Sequence, residues 1–118
     1  MEIDDLQQLV LEALNALKAN DVRVIDVRAK TTITDLMIIA SGTSNRHVKA
    51  LADHVIVKAK QAEVQPLGVE GERDADWLLV DLNEVIVHVM LPRVRDLYNL
   101  ERLWAVEEQS EPRDRAQH

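Results

Sequence analysis

The chain contains no cysteine and no phenylalanine. Without thiols, disulfide cross-links and thiolate nucleophiles are excluded, a composition that fits a reducing compartment. Without Phe, and with Trp77, Tyr98 and Trp104 as the only aromatic residues among 118, the core has to be built from Val, Ile, Leu and Ala. Each ring therefore asks for its own explanation. No apolar run approaches the ~18 residues of a membrane-spanning helix. The first residues, Met1-Glu2-Ile3-Asp4-Asp5, carry acid where a secretory signal needs a basic segment. The expectation is a soluble, unprocessed, cytoplasmic protein with no membrane partner, of a length that suits one compact domain and not two.

Cationic charge is also in short supply. Lys and Arg number 14 against 21 Asp and Glu, a net charge of −7 with His neutral. That sign argues against extensive contact with phosphates, so little direct RNA contact is expected, whereas a basic protein surface would be attracted. The imbalance is local. Residues 18–60 hold eight Lys or Arg against four Asp, a net of +4, whereas residues 70–84 hold Glu70, Glu72, Asp74, Asp76, Asp81 and Glu84 against Arg73 alone, a net of −5.

Hydrophobic periodicity gives the elements. Leu6, Leu9, Val10, Ala13, Leu14 and Leu17 recur at helical spacing between Ile3 and Ala19. Val22 to Val27 alternates as a half-buried strand, and Leu36 to Ala40 is a continuous apolar run suited to an interior strand. After Ser41-Gly42-Thr43-Ser44, with Thr43 or Ser44 as N-cap, a second helix is predicted from Asn45 to Glu63. Pro66 to Gly71 allows a short strand, and Trp77 to Val80 and Val85 to Met90 are close enough to form a hairpin. Pro92 suits the first turn of a last helix ending near Ala105. The order αββαβββα predicts an α/β sandwich, one mixed sheet of about five strands covered by helices. The domain is expected over residues 1–106, and residues 107–118 are expected to form a mobile charged tail.

Several residues sit awkwardly in this scheme. The hairpin tip reads Asp81-Leu82-Asn83-Glu84, and a three-residue loop Asp81-Leu82-Asn83 would put Leu82 at the apex. A Leu there either folds back over the sheet or is buried by another molecule. Trp77 opens the same hairpin beside Asp76, where it either plugs the core or offers an anchor to a partner. In the last helix Val94, Leu97, Leu100, Leu103 and Trp104 form one stripe, with Tyr98 on the flank that carries Arg95 and Arg102. His88, between Val87 and Val89, reads as a histidine satisfied by a hydrogen bond at the sheet face. His47 and His54 are seven apart, roughly 10 Å along a helix, too far to chelate one metal. The Ser41 to Ser44 turn lacks the Lys of a P-loop and the three glycines of a dinucleotide site, and cap chemistry accounts for it. No catalytic constellation, cofactor motif or metal-ligand spacing emerges.

Six strings in register carry a resemblance. Ile33-Thr34-Asp35-Leu36-Met37-Ile38-Ile39, Ser41-Gly42-Thr43-Ser44-Asn45-Arg46-His47-Val48, Pro66-Leu67-Gly68-Val69-Glu70-Gly71, Asp76-Trp77-Leu78-Leu79-Val80-Asp81-Leu82, Val85-Ile86-Val87-His88-Val89-Met90 and Leu97-Tyr98-Asn99-Leu100-Glu101-Arg102-Leu103-Trp104 resemble the Iojap-like ribosomal silencing factors. The resemblance implies a nucleotidyltransferase-like topology without catalytic carboxylates. It also implies a non-enzymatic factor that binds the large ribosomal subunit through ribosomal protein L fourteen, blocks the small subunit, represses translation when nutrients are scarce, and forms a homodimer when free. Its contact residues match Trp77, Leu82 and Tyr98, and Asp76, Asp81, Glu84, His88 and Met90 lie around them. The tip glycine common in the family is Asn83 here, which retains access to positive φ. Two rivals remain: a nucleotidyltransferase-like enzyme using the Ser41 to Ser44 turn with Asp35 or Asp53, and a purely structural homodimer.

Overall fold

The structure, a computed structural model, describes residues 1–102. Three helices and five strands follow one another as α1 (Ile3–Ala16), β1 (Asn20–Asp26), β2 (Leu36–Ser41), α2 (Asn45–Gln61), β3 (Gly68–Glu70), β4 (Trp77–Asp81), β5 (Val85–Met90) and α3 (Pro92–Tyr98). The predicted order and the mixed five-stranded sheet are both present. The strands lie side by side as β1-β2-β5-β4-β3, with β2 and β5 parallel and the other pairs antiparallel.

The uninterrupted apolar run of β2 is explained by its place. All six of its residues are buried, because it lies second from one edge with both faces covered. The first face of the sheet presents Leu78, Val80, Val85, Val87 and Val89, all essentially inaccessible. Against it pack Leu6, Val10, Ala13 and Leu14 of α1 and Val48, Leu51, Ala52, Val55 and Ala59 of α2. Aliphatic side chains thus fill this core with no ring in it, as the composition requires.

Two local expectations are corrected. The first helix ends at Ala16, not Ala19, because Lys18 turns into the left-handed region at φ 61°. The last helix is interrupted after Tyr98, where Asn99 adopts φ 49° and ψ 53°; helical backbone resumes over residues 100–102, and the expected end near Ala105 lies outside the described residues. Asn is among the few residues that accept that conformation cheaply. Its N–H still bonds Arg95 O at 2.8 Å, and its Oδ1 accepts the Arg102 N–H at 3.3 Å, so one residue closes a helix and caps the next turn. The predicted stripe also fails within α3 itself, where Val94 is buried and Leu97 is 76% exposed, whereas Leu100 beyond the break packs against the core. Leu103, Trp104, the domain limit at residue 106 and the tail 107–118 lie outside the described residues.

The hairpin tip is tighter than expected. Leu82 N–H bonds Val85 O at 2.9 Å, extending the ladder, so the turn is Asn83-Glu84. Asn83 has φ 76°, and the Glu84 N–H bonds Leu82 O at 3.0 Å around it, the three-residue turn that only a residue tolerant of positive φ can centre. Asp81 Oδ1 accepts the Asn83 N–H at 2.8 Å and fixes the geometry.

Candidate interaction surface

Strand alternation builds the site. On β4, Leu78, Val80 and Leu82 face the helices, which turns Trp77, Leu79 and Asp81 to the second face of the sheet. The register with β5 places Met90 opposite Trp77, His88 opposite Leu79 and Ile86 opposite Asp81. On β3, Glu70 lies opposite Leu79 and Gly68 opposite Asp81. Neither α1 nor α2 reaches this face. Helix α3 crosses it where Tyr98 meets Trp77 and Arg95 meets Ser41, and Met37, Ile39 and Ser41 of β2 are buried on this face. The remainder leaves Trp77, Leu79, Asp81 and Ile86 half-buried.

At the centre stands a three-ring cluster. Trp77 Nε1–H donates to His88 Nδ1 at 3.0 Å, and the ring centroids lie 6.0 Å apart. Tyr98 also packs on the indole, with centroids at 4.8 Å and planes tilted by 48°. Tyr98 remains 57% exposed, whereas His88 is only 6% exposed. Burial pushes the His88 imidazole down to about 4, so the ring is neutral near pH 7. The Trp77 N–H favours the same state, because a protonated ring would set N–H against N–H.

Tyr98 reaches Trp77 because Arg95 anchors α3. The Arg95 side chain, 5% exposed, donates from Nη1 to Ser41 Oγ at 2.9 Å, from Nε to Glu101 Oε1 at 2.8 Å and from Nη2 to Glu101 Oε2 at 3.0 Å. Asp21 adds a longer ion contact at 3.8 Å. The forked pair holds Glu101 below the usual carboxylate range, chiefly through the side-chain hydrogen bonds from Arg95. One guanidinium thus ties β2, the bend of β1 and the turn after Asn99 to a single position.

The residues singled out from sequence therefore separate. Trp77 and Tyr98 come together in direct contact at the surface. Leu82 does not join them: it is 3% exposed and faces the helices, because the two-residue turn keeps it in the strand. Of the two alternatives for Leu82, folding back is the one observed. His88 and Met90 lie on the same face as Trp77 but are buried, so neither is itself exposed in this structure. Asp76 and Asp81 are half-buried at the two ends of β4, and Glu84 is exposed at the tip. Leu79, Ile86 and Glu70 belong to the surface and were missed, although period-two counting from Trp77 reaches Leu79 directly. His88 does find its hydrogen bond, as expected, and the donor is Trp77.

The other polar groups serve the fold. Ser44 caps α2 by accepting the His47 N–H at 3.1 Å, and Ser41 Oγ accepts from Arg95. His47 Nδ1 accepts the Thr43 N–H at 2.9 Å, and its Nε2 sits 2.8 Å from Leu17 O, joining the end of α1 to the start of α2. His54 lies elsewhere, in an open groove between α1 and α2 with Asp5, Glu12 and Lys58. Asp53 is exposed and pairs with Lys49 at 3.5 Å. Among the described residues no three His, Cys, Asp or Glu converge as metal ligands, and no helix is long and apolar enough to cross a membrane.

Comparison with known proteins agrees with this architecture. A ribosomal silencing factor of Chromobacterium violaceum is 48% identical over 104 residues, covering 88% of this chain and 85% of that protein. A crystal structure of a protein from the same organism superposes with a TM-score of 0.88 at 48% identity, covering 89% of this chain and 88% of its own. A mouse protein named mitochondrial assembly of ribosomal large subunit protein 1 is 35% identical over 105 residues, 86% of this chain and 46% of its own length. The family model described as ribosomal silencing factor during starvation matches residues 1–118, and the chain belongs to that family.

Proposed function

We propose that this protein represses translation by docking on the large ribosomal subunit through ribosomal protein L fourteen, there blocking association with the small subunit. The observation that carries the reading is the Trp77–Tyr98 pair, half-buried indole against exposed phenol, on the sheet face that α1 and α2 leave open and with acids along the same hairpin. Two touching rings form a rigid apolar anchor with little side-chain entropy left to lose on binding. Asp76 adjoins Trp77 in the chain, while Glu70 beside Leu79, Asp81 at the far end of β4 and Glu84 at the hairpin tip lie farther along, all within the segment of net charge −5. A basic ribosomal protein would be drawn to that rim, whose charges orient and speed encounter while the rings supply the affinity. RNA phosphates would be repelled from the same face. The action is occupancy of a surface and needs no catalysis, and its expected setting is the cytoplasm under nutrient limitation. A place in late large-subunit assembly is supported by the name of the mouse relative.

Cosedimentation with purified large subunits, followed by a subunit-joining assay, tests this. Trp77→Ala and Tyr98→Ala should each weaken binding by about 30-fold or more, the scale of an aromatic hot spot, and should release the block on joining. A folded double variant that still binds and still blocks joining would refute the assignment of this face. Self-association of the free protein through the same rings is separable by dilution: sedimentation velocity on the same two variants reads it without ribosomes.

A further inference from the structure

His88 is too deeply buried to touch a partner, yet it lies at the centre of the proposed surface and holds its largest side chain. Register shows how. Residue 88 stands opposite Leu79, not opposite Trp77, whose direct neighbour is Met90. The pair is diagonal, a separation that only long or aromatic side chains bridge. To place Nε1 at 3.0 Å from Nδ1 the indole must lean along the sheet toward His88 and not stand away from it. Tyr98, held through the Arg95-anchored helix, packs on the leaning ring at 4.8 Å. Such a ring has few alternative rotamers, and its immobilisation is completed before any partner arrives.

We propose that His88 is a positioning residue for partner binding: its Nδ1, as acceptor of the Trp77 indole N–H, sets the orientation in which Trp77 and Tyr98 are presented together. The proposal rests on the reading of this face as the docking surface and adds the buried group that shapes it. Asn is the conservative replacement, since its Oδ1 falls near the place of Nδ1 and accepts the same hydrogen bond. Leu fills the space and accepts nothing.

The experiment compares the unsubstituted protein with His88→Leu, His88→Asn and Trp77→Ala for binding to purified large subunits. In parallel it records the Trp77 indole N–H resonance of ¹⁵N-labelled protein, with Trp104→Phe used only to assign the two indole signals. His88→Leu should move that resonance and weaken binding by about five- to tenfold, the scale of one lost buried hydrogen bond. His88→Asn should restore the resonance position and bring binding back to within about twofold. Where His88→Leu does not fold, replacing Trp77 by β-(3-benzothienyl)alanine removes the donor from the other side and keeps the ring shape, with the same loss expected. Unchanged affinity in His88→Leu or in the benzothienyl protein overturns the proposal. So does an Asn variant that restores the indole signal without restoring binding. If Trp77→Ala itself binds normally, the docking surface has been misassigned. If Trp77→Ala fails to bind while His88→Leu binds normally, the surface stands and the positioning role falls.

Discussion

Lowering the pH from 7 to 5 should destabilise this protein through His88 in particular. Its imidazole falls from an ordinary 6.5 to about 4 on folding, because burial penalises the charged ring. Between those values the unfolded chain binds a proton at this site that the folded chain refuses, so stability must rise with pH across the window and fall on acidification. At pH 5 the linkage relation gives a loss of about 2 kcal/mol relative to pH 7, approaching about 3 kcal/mol below pH 4. For a domain of this size, 2 kcal/mol corresponds to roughly 6–10 °C in Tm. The assay is thermal unfolding of the unsubstituted protein and His88→Asn at both pH values. Other groups titrate as well, including Glu101, whose lowered value makes its contribution fade as pH falls through the carboxylate range. They are common to both proteins, and only the difference between the two curves belongs to His88. His88→Asn should lose less on acidification by about 2 kcal/mol. Parallel curves would refute the burial argument and with it the neutral acceptor that Trp77 requires.

Other perturbations have equally defined outcomes. Arg95→Met strands Glu101 and Ser41 beside an apolar chain and should cost roughly 3 kcal/mol, read as a drop in the denaturation midpoint. Gly71→Ala meets both a φ of +90° and a Cβ that would lie 2.1 Å from Trp77 O, so it should lower Tm measurably and displace the start of β4. Leu82→Ala opens a cavity under the hairpin and should cost about 2–5 kcal/mol in urea unfolding; a surface location for Leu82 would instead leave stability within about 0.5 kcal/mol. Raising ionic strength should slow association with large subunits more than it speeds dissociation, since the acids steer and the rings hold.

The elements with strong periodicity were legible from residues alone. Leu6 to Leu14 and Val48 to Ala59 each announce one buried stripe, though Leu17, counted with the first, is exposed, and the unbroken Leu36 to Ala40 announces an interior strand. What could not be counted out of the sequence were the places where a single residue's φ decides the path. Asn99 interrupts a helix that spacing alone continues, and Asn83 tightens a turn from three residues to two. The tighter turn places Leu82 in the core and not at the apex. In this structure a change at Leu82 would reach the proposed docking surface through the hairpin, and not as a contact of its own.

The same register accounts for why the surface is compact. Trp77, Leu79 and Asp81 project from one strand at successive pleats, so ring, aliphatic and acid follow one another at about 6.6 Å intervals. Glu70 flanks Leu79 from β3, and Ile86 flanks Asp81 from β5. A one-residue slip of β4 would turn every one of these inward and expose Leu78 and Val80 instead. The helix-packed face forbids that slip, because Leu78, Val80 and Leu82 are the side chains that meet α2 and its neighbours. The core thereby fixes the proposed docking surface on the opposite side of the same strand. Stability and partner recognition are coupled through the β4 register, and a core substitution that loosens it should weaken ribosome binding without touching a single exposed residue.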